Sequence, residues 1–359
     1  MNNISMSNIS RLRDAVKIAG LDALMITSPA NRFYAAGFPS SAGVMIISAE
    51  KAWFFTDSRY IEAARQAITD AQVTLCDREN TYEKLINAVC AENGLKSLGF
   101  EEEAVTYAEY QKRSEKLYAE LTPAQKILQD ARSVKTRAEL EKMKAAQRIA
   151  EKSFNDILPL ITPDITERAL ASELLIAFLR NGADDKSFDP IVVSGERSSL
   201  PHGVPEDRAL RRGFLTIDFG VTKDGWCSDT TRTVCIGRAT EEMRRVYDTV
   251  AEAQRAGIAA ARAGVLGRDV HAAAAKVISD AGYGEYFGHG FGHGLGIEVH
   301  ELPNASPSYG GALPAGAVIS AEPGIYIPGK FGVRIEDVIY ITEQGSENIT
   351  TLPKELVEL

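Results

Sequence analysis

Four carboxylates stand in two hairpin-like stretches whose spacing is suited to holding cations. In FLTIDFGVTKDGWCSDTTRTV, Lys223-Asp224-Gly225 separates two β-type runs, and Asp-Gly between such runs signals a hairpin turn. The midpoint of positions 218 and 229 falls inside that turn. An unbulged hairpin therefore sets Asp218 opposite Asp229, with Cβ atoms about 4.5–5.5 Å apart. The pattern recurs in VISAEPGIYIPGKFGVRIEDVIYI, where Pro328-Gly329-Lys330 is the turn and Gly329 is the midpoint of Glu322 and Glu336. Ionised carboxylates in apolar β-runs are costly to desolvate, so either their protons return or a cation neutralises them. Four of them converging favours the cation. One such hairpin alone would read as a solvated edge, since surface carboxylates are common and a bulge spoils the register. The recurrence, together with the histidines, shifts the reading to a metal site.

Five histidines occur: His202, His271, His289, His293 and His300. In FGHGFGHGLGIEVHE, glycines flank His289 and His293, permitting positive φ and close backbone approach where irregular chain presents a ligand. Imidazole is a common nitrogen ligand for divalent transition metals. No register of this segment satisfies GxGxxG and no helix pattern follows it, so it is not a dinucleotide loop. His202 lies between prolines in SSLPHGVPED, a loop context. His271, early in a helical pattern, reads as a surface or satisfied core histidine with no role. HExxH and GxSxG are both missing, which removes the zincin and serine-hydrolase readings.

The elements that must position these residues fall into two groups. From residue 8 to about 130, helical and strand-like patterns alternate: a helix from Asn8 to Gly20, strands in AGVMIIS and KAWFFT, a helix from Thr81 stopped by Asn93-Gly94, a strand at Leu98–Phe100 and a charged helix from Tyr107 to Leu121. A long run rich in Ala, Glu, Lys and Arg then extends from Thr136 to Leu158. The boundary is placed there, giving domains over residues 1–131 and 132–359, both α/β (α+β) in class. Helices are expected at 166–181, 240–263 and 270–281, and strands at 188–193 and 214–220.

The formal charge of −9 and the scattered basic residues leave no cationic face for nucleic acid. Four cysteines, none in CxxC spacing, fit a reducing cytoplasm. The opening twenty residues have no apolar leader core, and no stretch approaches the ~20 apolar residues that span a bilayer.

The ordered run IDFG…SDTTRT…GHGLG…VHE…EPGIY…VRIED resembles the pita-bread metallopeptidases (M24): Xaa-Pro aminopeptidase, Xaa-Pro dipeptidase (prolidase) and, more distantly, methionine aminopeptidase. The resemblance runs from about Ser133 to the end. The part containing FTDSRYIEAARQ is similar, more loosely, to the creatinase-type N-terminal domain of the same peptidases. The resemblance implies two divalent ions, bridged by Asp229 and Glu336, with Asp218 chelating one and His293 and Glu322 completing the other. Glu322 is then also the general base, while His202 and His300 contact the substrate and stabilise the developing charge. Arg334 lies near the bridging glutamate and His289 near the substrate cleft, and both are expected to contribute to substrate binding. The oxygen-rich ligand set leans towards Mn²⁺, with Co²⁺ or Zn²⁺ able to substitute. The implied activity is hydrolysis of the Xaa-Pro bond in peptides or dipeptides by a homodimer. A non-catalytic binding module, or a metal-free relative of creatinase type, is the alternative from a different class; retention of all five ligand positions argues against it.

Overall fold

The computed structural model describes residues 8–359, so the first seven residues of the segment read as lacking a leader lie outside it. The chain divides into two compact units after Arg132.

The N-terminal unit is built on a six-stranded sheet. Its strands are β1 (Ala23–Ile26), β2 (Val44–Ser48), β3 (Ala52–Thr56), β4 (Gln72–Leu75), β5 (Ser97–Phe100) and β6 (Glu120–Pro123), in the order β4-β3-β2-β1-β5-β6. β1, β2 and β3 pair antiparallel, whereas β3–β4, β1–β5 and β5–β6 are parallel. The helices are α1 (Asn8–Ala19), α2 (Pro29–Ala36), α3 (Ile61–Ala67), α4 (Tyr82–Asn93), α5 (Tyr107–Lys116) and α6 (Gln125–Ser133). Three differences from the sequence reading stand out. The charged helix ends at Lys116 rather than Leu121, and Glu120–Pro123 forms an edge strand paired with β5. The stretch approaching the boundary is helical. α2, capped by the Ser28 side chain and opened by Pro29, was not anticipated, because its eight residues are too few to display a period.

In the C-terminal unit, α7 (Arg137–Ile157), α8 (Glu167–Arg180), α9 (Glu241–Ala260) and α10 (Gly267–Asp280) cover antiparallel strands. Thr136 and Glu139 close a reciprocal capping box on α7, and the Thr166 and Thr240 side chains cap α8 and α9. The strands are β7 (Asp185–Lys186), β8 (Ile191–Ser194), β9 (Gly213–Phe219), β10 (Val221–Lys223), β11 (Trp226–Cys227), β12 (Thr230–Ile236), β13 (Gly292–Gly294), β14 (Glu301–Ala305), β15 (Val318–Ala321), β16 (Gly324–Ile327), β17 (Phe331–Arg334), β18 (Asp337–Ile341) and β19 (Ser346–Asn348). They form the sheets β12-β9-β8, β11-β10-β7, β14-β13-β15-β18-β19 and β16-β17. One core packs α7 and α8 on β8, β9 and β12, through residues such as Phe154, Leu174, Ile217 and Val234. A second packs α9 and α10 on the β13–β18 strands, through Val250, Phe291, Ile319 and Ile339.

The two hairpins differ in how far spacing predicts register. In the second, Ala321 pairs with Asp337 and Gly324 with Arg334, so Glu322 and Glu336 stand opposite each other in the break between the two ladders. In the first, Thr231, not Asp229, faces Asp218. The reason is the turn. Lys223 pairs with Trp226, leaving only Asp224 (φ 49°) and Gly225 (φ 78°) at the tip. Two positive φ values in a two-residue loop match the twist of the strands, and they move the pairing by two residues. Because side chains alternate with period two, the shift keeps Asp218 and Asp229 on one face as diagonal neighbours.

Candidate metal centre

Each carboxylate of the centre lies where a ladder ends. Asp218 is the penultimate residue of β9, Asp229 precedes β12, Glu322 follows β15 and Glu336 precedes β18. At Glu322 and Glu336 the backbone N–H groups leave their own hairpin, donating to the Phe291 carbonyl at 2.8 Å and the Thr231 carbonyl at 3.1 Å. Those two bonds bring β13 and β12 against the second hairpin. A buried ion pair locks the neighbouring positions: Arg232 Nη2 lies 2.9 Å from Asp337 Oδ1, and Arg232 also donates to the carbonyls of Glu336, Leu352 and Pro353.

His293 comes from β13, a short strand, whereas the sequence reading expected irregular chain. The flanking glycines serve close approach rather than positive φ: a Cβ on Gly292 would sit 1.9 Å from the Ser320 carbonyl oxygen. The His293 Nδ1 hydrogen is assigned as donor to the Gly294 carbonyl at 3.1 Å. That leaves Nε2 facing Glu322 Oε1 at 3.1 Å and Asp229 Oδ2 at 3.6 Å. Fixing one ring nitrogen on a backbone carbonyl is how ligand histidines are commonly oriented.

Asp229, His293 and Glu336 each offer a ligand atom within 4.8 Å of the others. Asp218 is held from the far side: Arg334 Nη2 lies 2.6 Å from its Oδ2. The same guanidinium donates through Nε to Thr231 Oγ1 (3.0 Å) and through Nη1 to the Tyr326 hydroxyl (2.8 Å) and the Pro201 carbonyl (3.1 Å). Thr231 Oγ1 in turn donates to Glu336 Oε2 at 2.9 Å. Tyr326 passes its own hydrogen to His289 Nε2 at 2.9 Å, while His289 Nδ1 meets the Gly290 carbonyl at 2.8 Å. Gly324 leaves room for that phenol, since a Cβ there would lie 2.4 Å from the Tyr326 hydroxyl.

The electrostatics are those of an anion cluster withdrawn from water. Burial, reinforced by the charge of Asp218, lifts the Asp229 carboxyl well above its ordinary range. Burial and the charges of Asp229 and Glu322 do the same to Glu336. Burial works against the ionised form of Glu322 too, but the hydrogen bond and charge of His293 hold this carboxyl low, at about 2. Burial lowers the imidazoles of His289 and His300. Asp218 Oδ1 and Glu336 Oε1 are buried and have no hydrogen-bond partner among the described residues.

All five ligand-type residues, with His202, His289, His300 and Arg334, line one cavity of about 800 Å³. His300 packs its ring 4.3 Å from that of His293, centroid to centroid. An apolar wall including Leu175, Phe188, Ile191 and Val204 closes part of the cavity. His271 does not line it and stacks on Phe287 instead. The sequence reading missed Thr231, Ser320 and Tyr326. Ser320 donates to Glu322 Oε1 at 2.9 Å and accepts from the His293 amide. All three lie an even number of residues from a named carboxylate in the same strand run, and that same-face alternation could have singled them out.

An α/β unit followed by a helix-covered β unit that gathers four carboxylates and a histidine around a cleft is the architecture of the two-domain pita-bread metallopeptidases. The chain belongs to metallopeptidase family M24: that family's model matches residues 141–343, and the creatinase/prolidase N-terminal domain matches residues 8–134. It is 35% identical over 353 residues to an Xaa-Pro dipeptidase of Pyrococcus furiosus, covering 97% of this chain and 99% of the relative. Among solved structures, it matches an Xaa-Pro dipeptidase from Bacillus anthracis at TM-score 0.94 and 40% identity, covering 98% and 99% of the two chains. It also matches an X-Pro aminopeptidase from Thermotoga maritima at TM-score 0.90 and 35% identity, covering 96% and 100%.

Proposed function

We propose that this chain is a metal-dependent exopeptidase that hydrolyses the Xaa-Pro bond at the N-terminus of peptides or in dipeptides, using two divalent ions held by Asp218, Asp229, His293, Glu322 and Glu336. One observation carries the reading: these side chains converge on one cavity in which a buried oxygen of Asp218 and another of Glu336 lack any hydrogen-bond partner among the described residues. Orphaned buried carboxylate oxygens beside an oriented imidazole suit hard or borderline cations. The oxygen-rich donor set favours Mn²⁺, with Co²⁺ or Zn²⁺ as substitutes. The relatives named as Xaa-Pro peptidases supply the substrate class.

When bound by these residues, divalent ions would supply Lewis acidity and lower the pKa of a water towards neutrality. The protein groups do the rest. Glu322, ionised, accepts a proton from the attacking water and delivers it to the leaving imide nitrogen. His202 and His300 donate hydrogen bonds where charge develops on the scissile carbonyl oxygen. Arg334 keeps Asp218 in place, and His289, tied to Tyr326, borders the substrate.

Chelator-treated protein assayed on Ala-Pro and Ala-Pro-Ala, with and without added Mn²⁺, tests this, with Asp229→Ala as the control. Metal-dependent cleavage lost in the variant supports the reading, and the ratio of the two rates assigns dipeptidase or aminopeptidase. Absence of cleavage in every arm sinks it. Division into domains 1–131 and 132–359 is part of the proposal, supported by the compact units that divide after Arg132. Four free cysteines favour a cytoplasmic setting, which cell fractionation tests; among the described residues no helix is long and apolar enough to cross a membrane. A homodimer is proposed on family resemblance, and a monomer mass by light scattering overturns it.

A further inference from the structure

His202 is an exposed residue of the cavity lining whose ring makes no hydrogen bond to any described residue, so where the ring can reach depends on the backbone that carries it. That backbone is pinned on both sides by arginines. On one side, Arg334 Nη1 donates to the carbonyl of Pro201 at 3.1 Å. On the other, Arg197 Nη2 donates to the carbonyl of Val204 at 2.6 Å. Between them Gly203 packs so closely that a Cβ would lie 2.6 Å from Val193 Cγ1.

The second pin has its own foundation. Arg197 Nε lies 3.2 Å from Glu167 Oε2, and Nη1 lies 2.6 Å from Glu206 Oε1. Glu167 is fully buried at the first turn of α8, where it also accepts from the Ser194 amide at 2.9 Å, the Ser194 hydroxyl at 3.1 Å and the Glu206 amide at 3.2 Å. A desolvated carboxylate with that many donors is a rigid anchor. The strap from Pro201 to Glu206 thus hangs between Arg334, which also grips Asp218, and the Glu167–Arg197 pair.

We infer that Arg197, anchored by Glu167, is a positioning residue that acts on the reaction through His202 and not through the metal ligands. This rests on the proposed reading of the cavity as an Xaa-Pro peptidase site. The test compares Arg197→Gln, Arg197→Lys, His202→Ala and the double variant R197Q/H202A. Arg197→Lys keeps the charge beside Glu167 and guards against a folding failure. Misplacing one transition-state donor costs on the order of tenfold or more, so kcat with Mn²⁺ on whichever of Ala-Pro and Ala-Pro-Ala the wild type cleaves faster should fall about tenfold in Arg197→Gln and recover in part in Arg197→Lys. In the His202→Ala background the same change should cost less than about twofold, because the group it positions is gone. Independently of activity, hydrogen–deuterium exchange in residues 200–207 should quicken in Arg197→Gln, with β9 and the Mn²⁺ stoichiometry unchanged.

Multiplying losses in the double variant overturn the inference. So does an exchange increase spread equally over α8 and β9, or wild-type kcat and exchange in Arg197→Gln. A wild-type protein that leaves both Ala-Pro and Ala-Pro-Ala intact overturns the peptidase reading and this role with it. That result is distinct from failure of the strap, in which wild type cleaves and exchange in 200–207 ignores Arg197.

Discussion

Metal affinity at this centre is expected to rise steeply with pH up to about 9, because the protein's own groups hold a proton where an ion would bind. Burial disfavours a charged His293, but the hydrogen bond and charge of Glu322, with Asp229 adding to them, lift the imidazole to about 9. A ligand imidazole must be neutral, so binding displaces that proton. At pH 7, two units below, about 99% of the protein carries it, and affinity stands about 100-fold under its ceiling from this group alone. Asp229 and Glu336 are lifted in the same direction, chiefly by burial. The sign is then fixed: the folded-state pKa of His293 is raised, the protonated form competes with metal, and competition fades as pH climbs towards 9. Each displaced proton tightens binding about tenfold per pH unit, and the slope flattens above His293's titration. Calorimetric titration of chelator-treated protein with Mn²⁺ between pH 6.5 and 8.5, in buffers of different ionisation enthalpy, measures both slope and proton count. One or more protons released per site is the expected result. An affinity flat across that range, with heats indifferent to buffer, would refute the reasoning.

Two further expectations concern the frame and the thiols. Asp337→Ala removes the carboxylate facing Arg232, whose side chain is 4% exposed against 1% for Asp337, a carboxylate that also accepts from Asn348 and Lys354. Breaking a buried pair costs about 3–5 kcal/mol, about 6–20 °C of Tm for a unit of this size. Asp337→Ala with Arg232→Met should lose less than the single change, and a calorimetric shift under about 2 °C for Asp337→Ala contradicts this role. Burial pushes the thiols of Cys227 and Cys90 up to about 12 and about 11, so both stay protonated at mildly alkaline pH. A thiol reagent should reach partly exposed Cys76 first and leave the buried Cys90, Cys227 and Cys235 until denaturant is added. Rapid labelling of Cys227 in the folded protein contradicts that order.

The candidate site was unusually legible because carboxylates are costly inside apolar strands, and that cost is visible as sequence pattern. The long helices α7 to α10 were legible for a similar reason, as each is long enough to show its period and three of them open on a threonine cap. Short elements such as α2 and β6 were not, since four to eight residues hold too little periodicity to separate helix, strand and loop.

By itself the sequence singled out candidate metal ligands as two carboxylate pairs on β-hairpins, together with the register of the second hairpin. The register of the first is local too: the two-residue turn at Asp224-Gly225 pairs Asp218 with Thr231 rather than Asp229, and period-two alternation keeps the face intact. Tertiary structure decided the rest. His293 meets Glu322 and Asp229 because the Glu322 amide left its own ladder for Phe291, a contact between segments about thirty residues apart. Arg334, Thr231 and Tyr326 became one network only when β12, β16 and β17 were packed together. Local pattern records what a residue costs to bury within its own element. Which distant group offsets that cost depends on packing between elements, and no spacing along the chain encodes it.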